Sequence, residues 1–504
     1  MEQAIAIGKF TLESLTAGMY ISPMVLYREY IQNSVDAIDQ AISKGIISHG
    51  QSKIIIKIDP DKNEITIEDN GLGIRREKAL KKLIDIGNSS KVYTVNRGFR
   101  GIGRLAGLSY CDKLTFVTSY KGERQKSIVS FDCVRLKQLL IPGQYEEYDL
   151  PRVLSEITDH KKEIESVDSH YFRVVLEGVQ DVDGILDEEE VKDYLSQVAP
   201  LPFEKDDFKW GRKIENKLNS LGITIPHYNI YIEGEEGEDQ LFKVNSDAFL
   251  SDKTKKIVDE IKEIEVLDFY DEDNNLQAVI WYSLSNFNGT ILDESKKGIR
   301  LRKGNILIGD KTTLNGIFKE DRFNGWFQGE VHIFDENIIP NARRDDFERN
   351  EAYLNLLEQL KGVGNKLSKT IRDVSVSRND KDAKLLKAAE ELLAKADKYL
   401  EDGFNSVKEK DMLVAELTQH YEDASRSSSS KKQKTDVFKK LSLLTEDVKG
   451  ATNFKVLNIS NKLTVAEKKV LEKVFETLTE QCNKREADRL INEIVRKIYN
   501  KVAN

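Results

Sequence analysis

Two short stretches hold residue types suited to a flat ligand and to an anion. In "IEDNGLGI", Ile67 to Ile74, a strand pattern ends in Asp69 and the spacing Asp-x-Gly-x-Gly follows. Gly71 and Gly73 let the backbone turn sharply and let a planar group approach where a Cβ would block it. A carboxylate at the end of a buried strand is an acceptor for an exocyclic amine such as N6 of adenine. In "GFRGIGRLAGLSY", Gly98 to Tyr110, Gly98, Gly101, Gly103 and Gly107 are followed by small and apolar residues at helical spacing. A glycine-rich loop that opens a helix offers backbone N–H groups and a positive dipole end to an anion. No Gly-Lys-Ser/Thr follows, so this is not a P-loop, and no strand leads straight into it as a dinucleotide fingerprint requires. Between the two, "DIGNSSKVYTVNRG" is polar and suits a flap over a nucleotide.

A third stretch, "LYREYIQNSVDAI", runs from Leu26 to Ile38. Leu26, Ile31, Val35 and Ile38 fit one buried helical stripe. Arg28, Glu29, Asn33 and Asp36 form a polar edge beside it, because residues three and four apart share a face. By itself such an edge equally describes a solvated helix surface, and "DNGLG" by itself equally describes a tight turn.

Around these stretches the pattern changes along the chain. "KIIIKIDPDKNEITIEDNG" reads as two strands joined at Pro60–Asn63, and "DKLTFVTSY" and "HYFRVVLEGV" as further strands. "DEEEVKDYLSQVA" reads as a helix with an acidic first turn, broken by "PLPF" at Pro200–Phe203, where a boundary is placed. "HYNIYIEG", "LQAVIWYSL", "GIRLRKGNILIG" and "GEVHIF" follow as strands of a second mixed section ending near "IPNARRDDFERN". After about Asn350 only helical patterns remain, interrupted by "SRSSSSKKQK", which reads as a linker. Thr464 and Glu467 fit a capping box. The expected organisation is 1–200, 201–350, a helical region 351–424, a linker 425–435 and helical 436–504.

The chain has 504 residues, three cysteines without a CxxC pair, and a net charge of −9. These numbers fit a reduced, cytoplasmic protein without a zinc site. They disfavour a whole-chain nucleic-acid binder while leaving room for a local basic groove. We expect no signal peptide and no membrane span.

Taken together and in this order, the three stretches resemble the GHKL ATPase superfamily of gyrase, the ninety-kilodalton heat-shock chaperones, histidine kinases and MutL. Its Glu-x-x-x-Asn-x-x-Asp-Ala helix is met by Glu29, Asn33, Asp36 and Ala37; its adenine box by Asp69, Gly71 and Gly73, with Ile74 beside it; its phosphate loop by Gly98, Gly101, Ile102 and Gly103. "GNSSKV", with Ser89, Ser90 and Lys91, is similar to the stretch that precedes this loop in MutL. The section from "GIRLRKGNILIGD" to "IPNARRDDF" is similar to the middle segment of the heat-shock chaperones, where a Pro-x-Asn-x-x-Arg-Glu run supplies an arginine to the γ-phosphate. Here the run is one residue shorter, leaving Arg344 as the nominee and Arg343 as its competitor.

The resemblance implies an α+β chain. A Bergerat-type α/β sandwich, with helices on one face of a mixed sheet, would be followed by a transducer-like middle domain and an all-α C-terminal region. It implies ATP and Mg²⁺ as ligands, Glu29 as general base, Asn33 as the metal ligand, Asp36 as support for the adenine end, and Arg28 as a restraint on Glu29. Histidine kinases usually carry His where this chain has Glu29, so transfer to water is expected rather than transfer to protein. Two readings follow. One is an ATP-gated machine of the chaperone or MutL kind, closing as a homodimer on a protein client. The other is an ATP-switched platform of MORC-like or prokaryotic defence or DNA-maintenance type.

Overall fold

The computed structural model describes residues 7–16, 18–19, 22–86, 101–234, 237–251, 257–379, 381–425, 432–455 and 463–502. These fall into two compact units, Met1–Lys369 and Thr370–Asn504.

In the first unit an eight-stranded sheet is built from β1 (Ile54–Asp59), β2 (Glu64–Asp69), β3 (Lys113–Ser119), β4 (Gln125–Asp132), β5 (Thr158–Ile164), β6 (Tyr171–Glu177), β7 (Ile230–Gly234) and β8 (Gly237–Gln240), in the order β5-β4-β3-β6-β2-β1-β7-β8. All its neighbours are antiparallel except β1 and β7. Side chains alternate along a strand. On β2 the buried positions are Ile65, Ile67 and Asp69. The same period that turns two isoleucines into the core therefore turns the terminal carboxylate inward as well. Helix α2, named here after the short α1 (Phe10–Leu15), spans Val25–Ser43. Leu26, Ile31, Val35 and Ile38 share a core with Ile54, Ile56, Ile65 and Ile67. Each such side chain contributes about 1.5–3 kcal/mol by leaving water.

One expectation is corrected here. Residues after 200 were assigned to the second section, yet β7 pairs in parallel with β1, Ile54 opposite Ile230, and extends the first sheet. A parallel partner is reached only through a long crossover, so nothing local in the sequence announces it. The polar edge of α2 is largely buried, with Arg28 7%, Glu29 6% and Asp36 1% exposed.

After the antiparallel pair β9 (Ala248–Ser251) and β10 (Ile257–Glu260), a second sheet follows, ordered β11-β12-β15-β13-β14, with β11 at Glu263–Tyr270, β12 at Leu276–Leu284, β13 at Gly298–Lys303, β14 at Ile306–Ile308 and β15 at Gln328–Ile333. Every residue of β15 is buried, including Glu330. The Glu330 carboxylate accepts from Lys243 Nζ (2.7 Å), His332 Nε2 (3.0 Å) and Trp281 Nε1 (3.3 Å), and it pairs with Arg302. Arg302 Nη2 in turn donates to Gln197 O (2.8 Å), near the end of the helix Glu188–Val198. A buried carboxylate is tolerated only when so surrounded; removing one partner of such a group costs about 3–5 kcal/mol.

The helix Glu351–Asn379 begins where the strand patterns stop. In the second unit Lys381–Asp402, Val407–Ser425 and Lys432–Gly450 are helices that pack around Ala396, Phe404, Leu417, Leu441 and Val448. Val465–Gln481 and Lys484–Val502 pair around Phe475 and Ile491. Thr464 and Glu467 form the capping box. Of the expected linker 425–435, residues 426–431 lie outside the described residues, and 432–435 are already helix, since lysine and glutamine favour that state once the serines end.

Candidate nucleotide site

Helix α2 carries the polar residues along its length, and two turns of chain press against it from opposite ends. At one end, the loop after β2 is fastened to the helix by Leu72 N–H donating to Ala37 O (3.0 Å). Asp69, 1% exposed, accepts the Gly71 N–H at 2.9 Å. A Cβ on Gly71 would lie 2.7 Å from Ala37 and from Asp69 Oδ1; one on Gly73, whose φ is +68°, would lie 1.9 Å from Ser119 O. Both glycines are therefore demanded by close approach, and Gly73 by its left-handed backbone too. The Ile74 N–H donates to Thr118 Oγ1 (2.8 Å), and His170 Nδ1 donates to Gly71 O (3.0 Å).

At the other end, Gly101 turns with φ +73° and the chain enters a 3₁₀ helix, Gly103–Ser109. An α-helix was expected here. Gly107 instead runs so close to Tyr30 that a Cβ would lie 2.5 Å from its hydroxyl, which accepts Gly107 N–H (3.0 Å) and donates to Arg104 O (3.2 Å). Gly103 lies against the opening helix as well, and its Cβ would stand 2.0 Å from Glu29 Oε2.

Glu29 also meets the second section of the chain. Arg28 Nε and Arg344 Nε each stand 3.9 Å from Glu29 Oε1, and Arg28 Nη2 donates to Arg343 O (3.0 Å). The loop that delivers Arg344 is closed by a bridge between Pro340 and Phe347 and held by Gly309 N–H donating to Arg344 O (2.8 Å). Arg344 itself has φ +58°, a conformation that costs a non-glycine residue of order 1 kcal/mol or more. The shortened run thus turns Arg344, not Arg343, toward Glu29.

A cavity opens between these ends. Of the residues expected to bind nucleotide, Asn33, Asp69, Gly73 and Ile74 line it, together with Tyr30, Gln40, Lys82, Arg104 and Phe172. Asp36 is buried one turn away and is not on that wall. Ile102 is buried beside the 3₁₀ helix. Ser89, Ser90, Lys91 and Gly98 lie outside the described residues. Tyr30, Arg104 and Phe172 carry no motif, and sequence reasoning missed them.

Residues 21–162, which hold this whole cavity apart from Phe172, match the family model for histidine kinase-, DNA gyrase B-, and HSP90-like ATPases. This region is a GHKL ATPase domain. The chain is also similar to three curated chaperone proteins HtpG. That of Rickettsia typhi is 27% identical over 186 residues, 33% of this chain and 29% of the relative. That of Ehrlichia canis is 26% identical over 294 residues, 57% and 40%. That of Hydrogenovibrio crunogenus is 27% identical over 130 residues, 22% and 21%. The chain therefore spans well under half the length of these relatives. No helix among the described residues of the chain is long and apolar enough to cross a membrane.

The donor set of the GHKL site suits a hard cation held sparsely. No group of three or more His, Cys, Asp or Glu able to cage a metal occurs among the described residues. Asn33 lines the cavity wall, and a single amide beside waters and phosphate oxygens is the kind of sparse protein contribution that magnesium prefers to a full protein cage.

Proposed function

We propose that the chain binds ATP and hydrolyses it to ADP and phosphate, and uses the cycle to close and reopen as a homodimer acting on a protein client. The observation that carries this reading is the meeting of Glu29, Gly103 and Arg344 at one end of α2, with Asp69 at the other. In this reading the adenine amine donates to Asp69. The phosphates extend along α2 toward Gly101 and Gly103, and Asn33 holds Mg²⁺. When bound, the ion neutralises phosphate charge. Glu29 orients a water and takes its proton as the water oxygen bonds to the γ-phosphorus and the bond to the bridging oxygen of ADP breaks. Arg344 offsets charge on the transferred group. A γ-phosphate entering beside Glu29 competes for Arg28 and Arg344, which frees the carboxylate for the water. Because Arg344 belongs to the section after the GHKL domain, its engagement ties nucleotide state to the position of that section. The distant similarity to HtpG chaperones supports this reading.

Phosphate release from Mg-ATP and mass in solution test it together. The full chain should release phosphate, and Glu29→Ala should bind ATP but turn over at least about 100-fold more slowly. With a non-hydrolysable ATP analogue the mass should shift from one to two chains. No turnover by the wild type discards hydrolysis; an unchanged mass discards closure.

A further inference from the structure

Among the described residues of the glycine-rich stretch, Arg104 is the one that lines the cavity alongside Asp69 and Asn33. It directly follows Gly103, the residue pressed against Glu29. Its backbone is fixed by the Tyr30 hydroxyl, and its Nε–H donates to Leu83 O (3.2 Å). Its Nη2 is covered by surrounding atoms and has no hydrogen-bond partner among the described residues. Burial lowers the guanidinium to about 10 against the pull of Asp85, which leaves it cationic at neutral pH. A covered cationic N–H without an acceptor is more costly than a neutral one. A ligand that brings an anionic oxygen relieves that cost, and a neutral sugar or base does so less well.

We propose that Arg104 is a phosphate-binding residue of this site, with its guanidinium braced by Leu83 and directed to a phosphate oxygen of the bound nucleotide. The inference rests on the nucleotide reading above. Its competitor is a purely architectural role, in which Arg104 serves to cap the end of the helix Arg76–Ile84 through Leu83 O.

Titration of the full chain with ATP, ADP, AMP and adenosine separates these. Arg104→Ala should weaken ATP and ADP by about tenfold or more and leave adenosine within about twofold. AMP should follow ATP if the contact is to the phosphate nearest the ribose. Arg104→Lys, which keeps a charge but loses the fork, should fall between wild type and Arg104→Ala. Retained adenosine binding reports that the variant is folded. An equal loss for adenosine and ATP, or wild-type ATP affinity in Arg104→Ala, overturns the inference and leaves the nucleotide reading standing. A wild-type chain that binds none of the four overturns both.

Discussion

The Arg344 guanidinium lies 3.9 Å from the Glu29 carboxylate, Nε to Oε1, although one belongs to the helix that opens the GHKL domain and the other to a loop after the last strand of the second sheet. In the proposed reading, these two groups of opposite charge and separate origin flank the reacting terminal phosphate. Arg344→Ala should therefore slow ATP turnover by about tenfold or more while ATP affinity changes little, because the interaction acts on charge that develops during transfer. Phosphate release and ATP titration on one preparation check this, and equal losses in both would mean that Arg344 merely binds.

Asp69→Asn tests the base end. The carboxylate accepts the Gly71 N–H and is 1% exposed. In the proposed reading, an amide of the same shape can turn its N–H donors to the place where the purine amine needs an acceptor. ATP affinity should fall by about tenfold or more, and adenosine should suffer as much as ATP, unlike the pattern expected for Arg104→Ala.

Two glycine substitutions should part company. The Cβ of Gly103→Ala meets the Glu29 side chain, Oε2 at 2.0 Å and Cδ at 3.0 Å, and that carboxylate can swing aside. Turnover should collapse while thermal unfolding shifts little. The Cβ of Gly73→Ala meets the backbone oxygen of Ser119 at 1.9 Å with φ at +68°, so there the unfolding temperature itself should drop. Circular dichroism melts beside phosphate release distinguish the two.

Acid should destabilise the second sheet. Burial pulls His332 down to about 4, against the pull of Glu330. In the unfolded chain a histidine titrates near 6.5. Between those values the unfolded chain binds a proton that the folded one refuses, so stability falls as pH drops from about 6.5 to about 4, by at most about 3 kcal/mol. Glu330, held well below the usual carboxylate range by Arg302 and Lys243 against the cost of its burial, acts in the same direction. Urea unfolding followed by tryptophan fluorescence, which includes Trp281 beside Glu330, should show the midpoint falling across this window. His332→Gln should flatten the slope.

What could be read from the chain alone was what spacing determines. Glu29, Asn33 and Asp36 share a helix because three and four residues make a turn. Asp69 faces inward because it keeps step with Ile65 and Ile67. The second-sheet strand "LQAVIWYSL" runs over Leu276–Leu284 as its residue types suggest. What depends on distant approach was not legible. Tyr30 reads as one more apolar helix residue until Gly107 arrives at its hydroxyl. Arg104 reads as a surface cation until the cavity wall forms around it. The dryness of the polar edge of α2 follows from what is packed over it and not from its own period.

The pairing of β7 with β1 fixes how much chain an isolated nucleotide-binding fragment must keep. Cut at residue 200, it would present the row of amides and carbonyls from Ile54 to Lys57 that Ile230 to Glu233 otherwise occupy. Such a naked border invites sticking between copies. Extension through Gln240 supplies both β7 and its own antiparallel neighbour β8, so the longer fragment should stay dispersed in solution where the shorter one clumps.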